Sequence, residues 1–177
     1  MKAIPAFGKA YADEMLLPAK ATYVGLSFFV AFMLNMMPLT GWVLMIRPDF
    51  VAVVLLYWGV QHPRAVGFTP AFFLGLAMDV TDGSLFGQHA LAYCVLMAAG
   101  VAWHRRVSLF GLQGQMLHVL AMLLVAQLIV LGVQLAAGNA FPGWWYFLPS
   151  LSGCMMWPFV CQIVTSPLRP RANSEDM

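Results

Sequence analysis

The stretch GLAMDVTDGSLFGQHAL, residues 75–91, sets Asp79, Asp82 and Gly83 at the border of an otherwise apolar run. Carboxylates there are costly to desolvate, so they are either paired or used in chemistry. The DxxDG spacing raises one such chemistry, because some membrane phosphotransferases hold a divalent cation on that motif. A hard cation wants several oxygen ligands, yet after Asp82 no acid occurs before Glu175. Where the motif continues with Ala-Arg, this chain has Phe86-Gly87. Two acids alone make a poor catalytic metal site, and no metal is expected.

Nucleophilic catalysis is no better served. His62, His89 and His104 fall in loops or at span ends, and His118 lies inside an apolar segment near its start. None forms an evident set with a Ser or Cys and an acid. Cys94, Cys154 and Cys161 all sit in apolar runs, odd in number and without a CxxC pair, which reads as small buried hydrophobes. Gln127 and Gln134 share one helical face, where hydrogen bonding between packed helices is a commoner use than lining a channel.

The elements that must position these groups follow from composition. The 177 residues are 62% hydrophobic and 9% charged, with a mean hydropathy of +0.80. Such a chain cannot cover itself with a water-facing surface, so its solvent is mostly lipid. Six apolar segments stand out at 21–38, 43–60, 66–81, 88–103, 115–137 and 144–165. Several are shorter than the ~20 residues that a straight crossing needs, so tilted or broken helices are expected. The expectation is an all-α integral membrane protein, a compact six-helix bundle over 21–165. Tails at 1–20 and 166–177 flank it, and the apolar run after Lys20 reads as an uncleaved first span.

Charge placement gives the orientation. Lys2, Lys9, Lys20, Arg64, Arg105, Arg106, Arg169 and Arg171 fall on one side of a six-span layout, leaving only Arg47 on the other. The positive-inside rule then makes both termini cytoplasmic. Aromatic residues follow the same frame, with PGWWYF (142–147) at the outer face and Tyr57, Trp58 and Trp103 at the inner one.

Segment two contains its own break at Arg47-Pro48-Asp49. Proline suits the first turn of a helix and an acid suits its positive end, so a regular helix is expected from Pro48. Residues 43–46 then enter as a separate piece. Gly67, Ala71, Gly75 and Asp79 recur every four residues, a stripe of small residues ending in an acid. Such a stripe packs inward, and Arg47, at similar depth, is one candidate partner for Asp79. Asp79 reads either as a structural pair or helix cap, or as part of a cluster with Arg47, Pro48 and Asp49 that meets a partner or ligand. Asp82, Gly83 and Gly87 read as a tight turn.

These residues resemble a known family. IRPDFVAVVLLYWGV, then a short basic loop, then GFTPAFFLGLAMDVTDGSLFGQHAL is similar to the MreD family of rod shape-determining proteins. The positions carrying the likeness are Pro48, Asp49, Tyr57, Trp58, Gly75, Asp79, Gly83 and Gly87, with Trp157-Pro158 in the last segment. The resemblance implies a non-enzymatic subunit of the bacterial inner membrane that serves the cell-elongation complex. It implies MreC as direct partner, with RodA, a transpeptidase penicillin-binding protein and MreB reached through the complex, in support of lateral peptidoglycan synthesis. It also implies a fold like the substrate-binding subunit of energy-coupling-factor transporters, contact with membrane lipid, no cofactor and no nucleic acid. The competing reading is a small-molecule or lipid-binding transporter subunit, on the strength of a broken helix and intramembrane polar groups.

Overall fold

The computed structural model describes residues 20–63 and 65–168. Lys2, Lys9, Arg64, Arg169 and Arg171, and with them most of both expected tails, lie outside the described residues. Seven α-helices follow in order: α1 Ala21–Asn35, α2 Trp42–Ile46, α3 Phe50–Gln61, α4 Phe68–Thr81, α5 Gln88–Leu109, α6 Leu112–Ala136 and α7 Leu148–Thr165. Short 3-10 turns at Trp144–Phe147 and Ser166–Leu168 flank α7, and there is no strand among the described residues.

Three helical stretches are long and apolar enough to cross a bilayer: Trp42–Gln61, Leu112–Ala136 and Trp144–Leu168. The first joins α2 to α3 across Arg47-Pro48-Asp49. The break expected there is present, but α3 opens at Phe50, two residues later than expected. Asp49 is its N-cap, accepting from Ala52 N at 3.0 Å, which satisfies one of the amides a helix start leaves free. α1 and α4 are shorter apolar helices.

α3 is the centre of the bundle. Every residue from Val51 to Val60 is buried, as an all-round apolar helix demands. It packs on α1, α5 and α7, while α4 lies against α5 and α6 bridges α5 and α7. Tyr57 and Trp58 stand near the end of α3 and are fully buried by the helices around it. Their polar tips are met inside: Tyr57 Oη lies 2.8 Å from Thr165 Oγ1, and Trp58 Nε1 donates to Ser27 Oγ at 2.9 Å. Lone polar groups on neighbouring helices thus admit amphipathic rings to the core.

The outer faces are apolar, with Phe29, Phe73, Leu117, Met155 and Ile163 more than half exposed. Such patches suit hydrocarbon as the solvent. α5 runs on to Leu109, so Arg105 and Arg106 lie on its last turns rather than in a loop.

Candidate functional site

The polar residues concentrate at one end of the bundle, where α1, α4 and α6 finish and α3, α5 and α7 begin. Two carboxylates organise it, each capping a helix start.

Asp49 holds three elements together. Its Oδ1 accepts from Ala52 N and from Asn35 Nδ2 (2.9 Å), and its Oδ2 accepts from Tyr93 Oη at 2.6 Å. Asn35, at the end of α1, returns a bond through its Oδ1, which accepts from Phe50 N at 3.0 Å. Its carbonyl accepts from Arg47 Nη1 at 2.5 Å, and the Met37 carbonyl lies 3.4 Å from the same nitrogen. The tail of α1, the start of α3 and the second turn of α5 are thereby fixed.

Asp79 does the same for α5. It is 1% exposed, and its carboxylate accepts from Gly87 N at 2.7 Å and His89 N at 2.9 Å. His89 Nδ1 lies 2.9 Å from the same Oδ1, and Ser84 Oγ donates at 3.3 Å. The acid at the end of one helix therefore caps the positive end of the next. Its partner is His89 and not Arg47: among the described residues Arg47 makes no ion pair, and Asp79 pairs only with His89. Asp82 stands beyond, its Oδ2 3.9 Å from His89 Nε2. Burial raises the Asp82 carboxyl above its ordinary pKa, ahead of the opposing pull of His89.

The stripe residues divide. Ala71 is fully buried, and a Cβ on Gly75 would stand 2.3 Å from Ala90 Cα, so α4 and α5 touch backbone to backbone there. Gly67, expected in the same stripe, is the N-cap of α4 with nothing within 4 Å of a Cβ, because the helix begins only after it. Gly83 (φ +59°) and Gly87 (φ +98°) supply the left-handed backbone of the turn into α5.

Gln127 joins α6 to α7, donating to Tyr146 O at 3.0 Å and accepting from Ser150 Oγ at 2.5 Å. Gln134 makes no side-chain hydrogen bond among the described residues. Between these groups lies a cleft of about 280 Å³, bordered by Arg47, Asp49, Asp82, His89, Tyr93, Gln127, Tyr146 and Ser150 over an apolar floor that includes Leu123 and Val130.

Among the described residues, the arrangement sets no nucleophile beside a base. Ser84, Asp79 and His89 are close, but the acid sits between the hydroxyl and the imidazole, whereas a nucleophile needs the base beside it. No three His, Cys, Asp or Glu side chains among the described residues are placed to hold a metal. Asn35, Tyr93 and Ser150 were missed in the sequence. A lone amide closing the apolar run of α1 is the signal that could have found Asn35.

A profile of the family described as rod shape-determining protein MreD matches residues 20–166, which spans all seven helices. The chain is also 32% identical over 136 residues to the rod shape-determining protein MreD of Haemophilus influenzae, covering 76% of this chain and 84% of that one. The chain belongs to the MreD family. It is thus a membrane protein of a rod shape-determining family, a family not known for catalysis. No solved structure matches the chain. Both carboxylate clusters and the cleft fall inside the stretch that the MreD family profile covers.

Proposed function

We propose that this chain is a non-enzymatic, six-span subunit of the bacterial cell-elongation complex in the inner membrane, with both termini cytoplasmic. In this reading it binds MreC and supports lateral peptidoglycan synthesis alongside RodA, a transpeptidase penicillin-binding protein and MreB. The observation that carries the reading is the family match, which runs through the whole helical body.

Charge segregation supports the orientation. Asp49, Asp79 and Asp82 gather with the single cation Arg47 at one end of the bundle, while Lys20, Arg105 and Arg106 lie at the other among the described residues. The likeness to the substrate-binding subunit of energy-coupling-factor transporters rests on the family resemblance. The Arg47–Asp49 segment serves as a candidate contact surface for a partner helix, whereas the small-residue stripe of α4 is taken up by α5.

The test is affinity purification from native membranes in mild detergent, followed by mass spectrometry. Stoichiometric MreC, with RodA and the transpeptidase in smaller amounts, is the expected result. Recovery of ATP-binding-cassette ATPases without MreC refutes it in favour of a transporter subunit.

A further inference from the structure

Two hollows meet at Arg47 and Pro48. One is the polar cleft described above. The other is an almost wholly apolar groove of about 520 Å³ between α2 and α7, lined by Trp42, Val43, Ile46, Met155 and Met156. Arg47 and Pro48 border both. A charged compartment that shares a wall with an apolar channel suits an amphiphile, head inward and chain outward.

The charges narrow the head. Arg47 uses Nη1 on the carbonyls of Asn35 and Met37, while Nε and Nη2 make no bond among the described residues. A guanidinium at membrane depth without a counter-anion is costly, and phosphate is the anion its planar fork fits best. Phosphate alone does not suit the cleft, because Asp49 and Asp82 border it too. Asp49 is already satisfied by Asn35, Ala52 and Tyr93. Asp82 is not: its side chain is 40% exposed, and its one close partner is a histidine nitrogen at 3.9 Å. Such an oxygen pair is open to a compact cation that donates hydrogen bonds.

We infer that the cleft and groove together hold one zwitterionic phospholipid, with its phosphate on Arg47, its primary amine on Asp82 and an acyl chain along the α2–α7 groove. A headgroup joining phosphate to an amine offers a partner to both side chains at once. A purely anionic headgroup meets Asp82 with like charge, and a quaternary ammonium brings no hydrogen-bond donor. The cleft lies near the lower limit of small-molecule pockets, which suits a headgroup better than a whole amphiphile. The inference is independent of the reading given under Proposed function.

The test uses the full chain, purified, delipidated and presented in detergent with dioleoyl phosphatidylethanolamine, phosphatidylglycerol or phosphatidylcholine, with binding read by native mass spectrometry. Phosphatidylethanolamine is expected to bind about tenfold tighter than either of the others, the size of one charged hydrogen bond. Arg47→Gln should weaken it by a similar factor. Asp82→Asn should erase the preference over phosphatidylglycerol while the lipid-free unfolding temperature stays unchanged. Equal binding of all three lipids, or a preference that survives Asp82→Asn, overturns the inference. So does phosphatidylglycerol binding best, which marks a plain anion site. If both variants leave lipid binding intact and instead lose a co-purifying protein, the cleft takes a basic side chain of that partner and the inference fails. Should Arg47→Gln not fold, the wild-type ranking and Asp82→Asn decide alone.

Discussion

Gly75→Ala adds one methyl group where α4 touches α5, and its cost can be worked from the geometry. The new Cβ would lie 2.3 Å from Ala90 Cα, 2.5 Å from Ala90 N and 2.7 Å from His89 C, all of them backbone atoms. Ordinary contact starts at 3.4 Å, so the helices must part by 3.4 − 2.3, about 1 Å. Asp79 lies one turn further along α4, holding Gly87 N and His89 N at 2.7 and 2.9 Å. Parting by that amount carries both past 3.5 Å, where a hydrogen bond is lost. A buried carboxylate deprived of two donors, with some compensation by relaxation, is expected to cost about 3 kcal/mol. For a chain of this size that corresponds to a fall of about 6–12 °C in Tm. The chain supplies its own assay: Cys154 is buried and Cys94 and Cys161 are partly so, and a thiol-reactive fluorophore reports their exposure on heating. Gly132→Ala is the control, because nothing lies within 4 Å of that Cβ and alanine favours the middle of α6. If Gly75→Ala melts within 2 °C of the parent (roughly 1 kcal/mol or less), the backbone contact is not what holds Asp79 on α5.

Three other perturbations probe the same end of the molecule. In a double-mutant cycle by thermal melting, Asp79→Asn and His89→Ala are expected to couple by about 1–2 kcal/mol, whereas Asp79→Asn and Arg47→Ala should be additive. The reverse pattern would restore Arg47 as the partner. Asn35→Leu removes the bonds to Asp49 and Phe50 and should destabilise by about 2–3 kcal/mol, with Tyr93→Phe costing nearer 1 kcal/mol; equal melting of parent and Asn35→Leu would refute the clamp. Gln88 is 1% exposed with neither amide atom bonded among the described residues, so Gln88→Met is expected to be neutral or stabilising, and a fall of several degrees would show a partner for that amide.

Backbone chemistry was the legible part of this chain. Arg47-Pro48-Asp49 announced a helix break, and Asp82-Gly83 with Gly87 announced a turn, because proline and glycine restrict φ whatever surrounds them. Gly75 and Asp79, four apart, announced a face and a depth. Partners were less legible. Opposite charge suggested Arg47 for Asp79, but the turn delivers His89 as the second residue of α5, and the shorter connection prevailed. Tyr57 and Trp58 read as interfacial because amphipathic rings favour that depth, which says nothing about whether neighbouring helices enclose them. Only the placement of Ser27 and Thr165 on other helices shows that their polar ends are met in the core. Gly67 shared the spacing of the stripe, and spacing says nothing about where the first helical turn begins.

The way Asp79 is satisfied also bears on how the chain is made. All its bonds reach no further than His89, ten residues on. Once the ribosome has released the first turn of α5, the acid in α4 has its donors. Helices α4 and α5 can therefore leave the translocon as one hairpin, with no bare carboxylate crossing the lipid. Asp49 cannot be completed so early, because Tyr93 lies 44 residues downstream. The start of α3 must wait in a wet or protein-lined place until α5 has been synthesised, which sets an order of assembly: the hairpin closes first, and the break at Arg47-Pro48-Asp49 locks onto it afterwards.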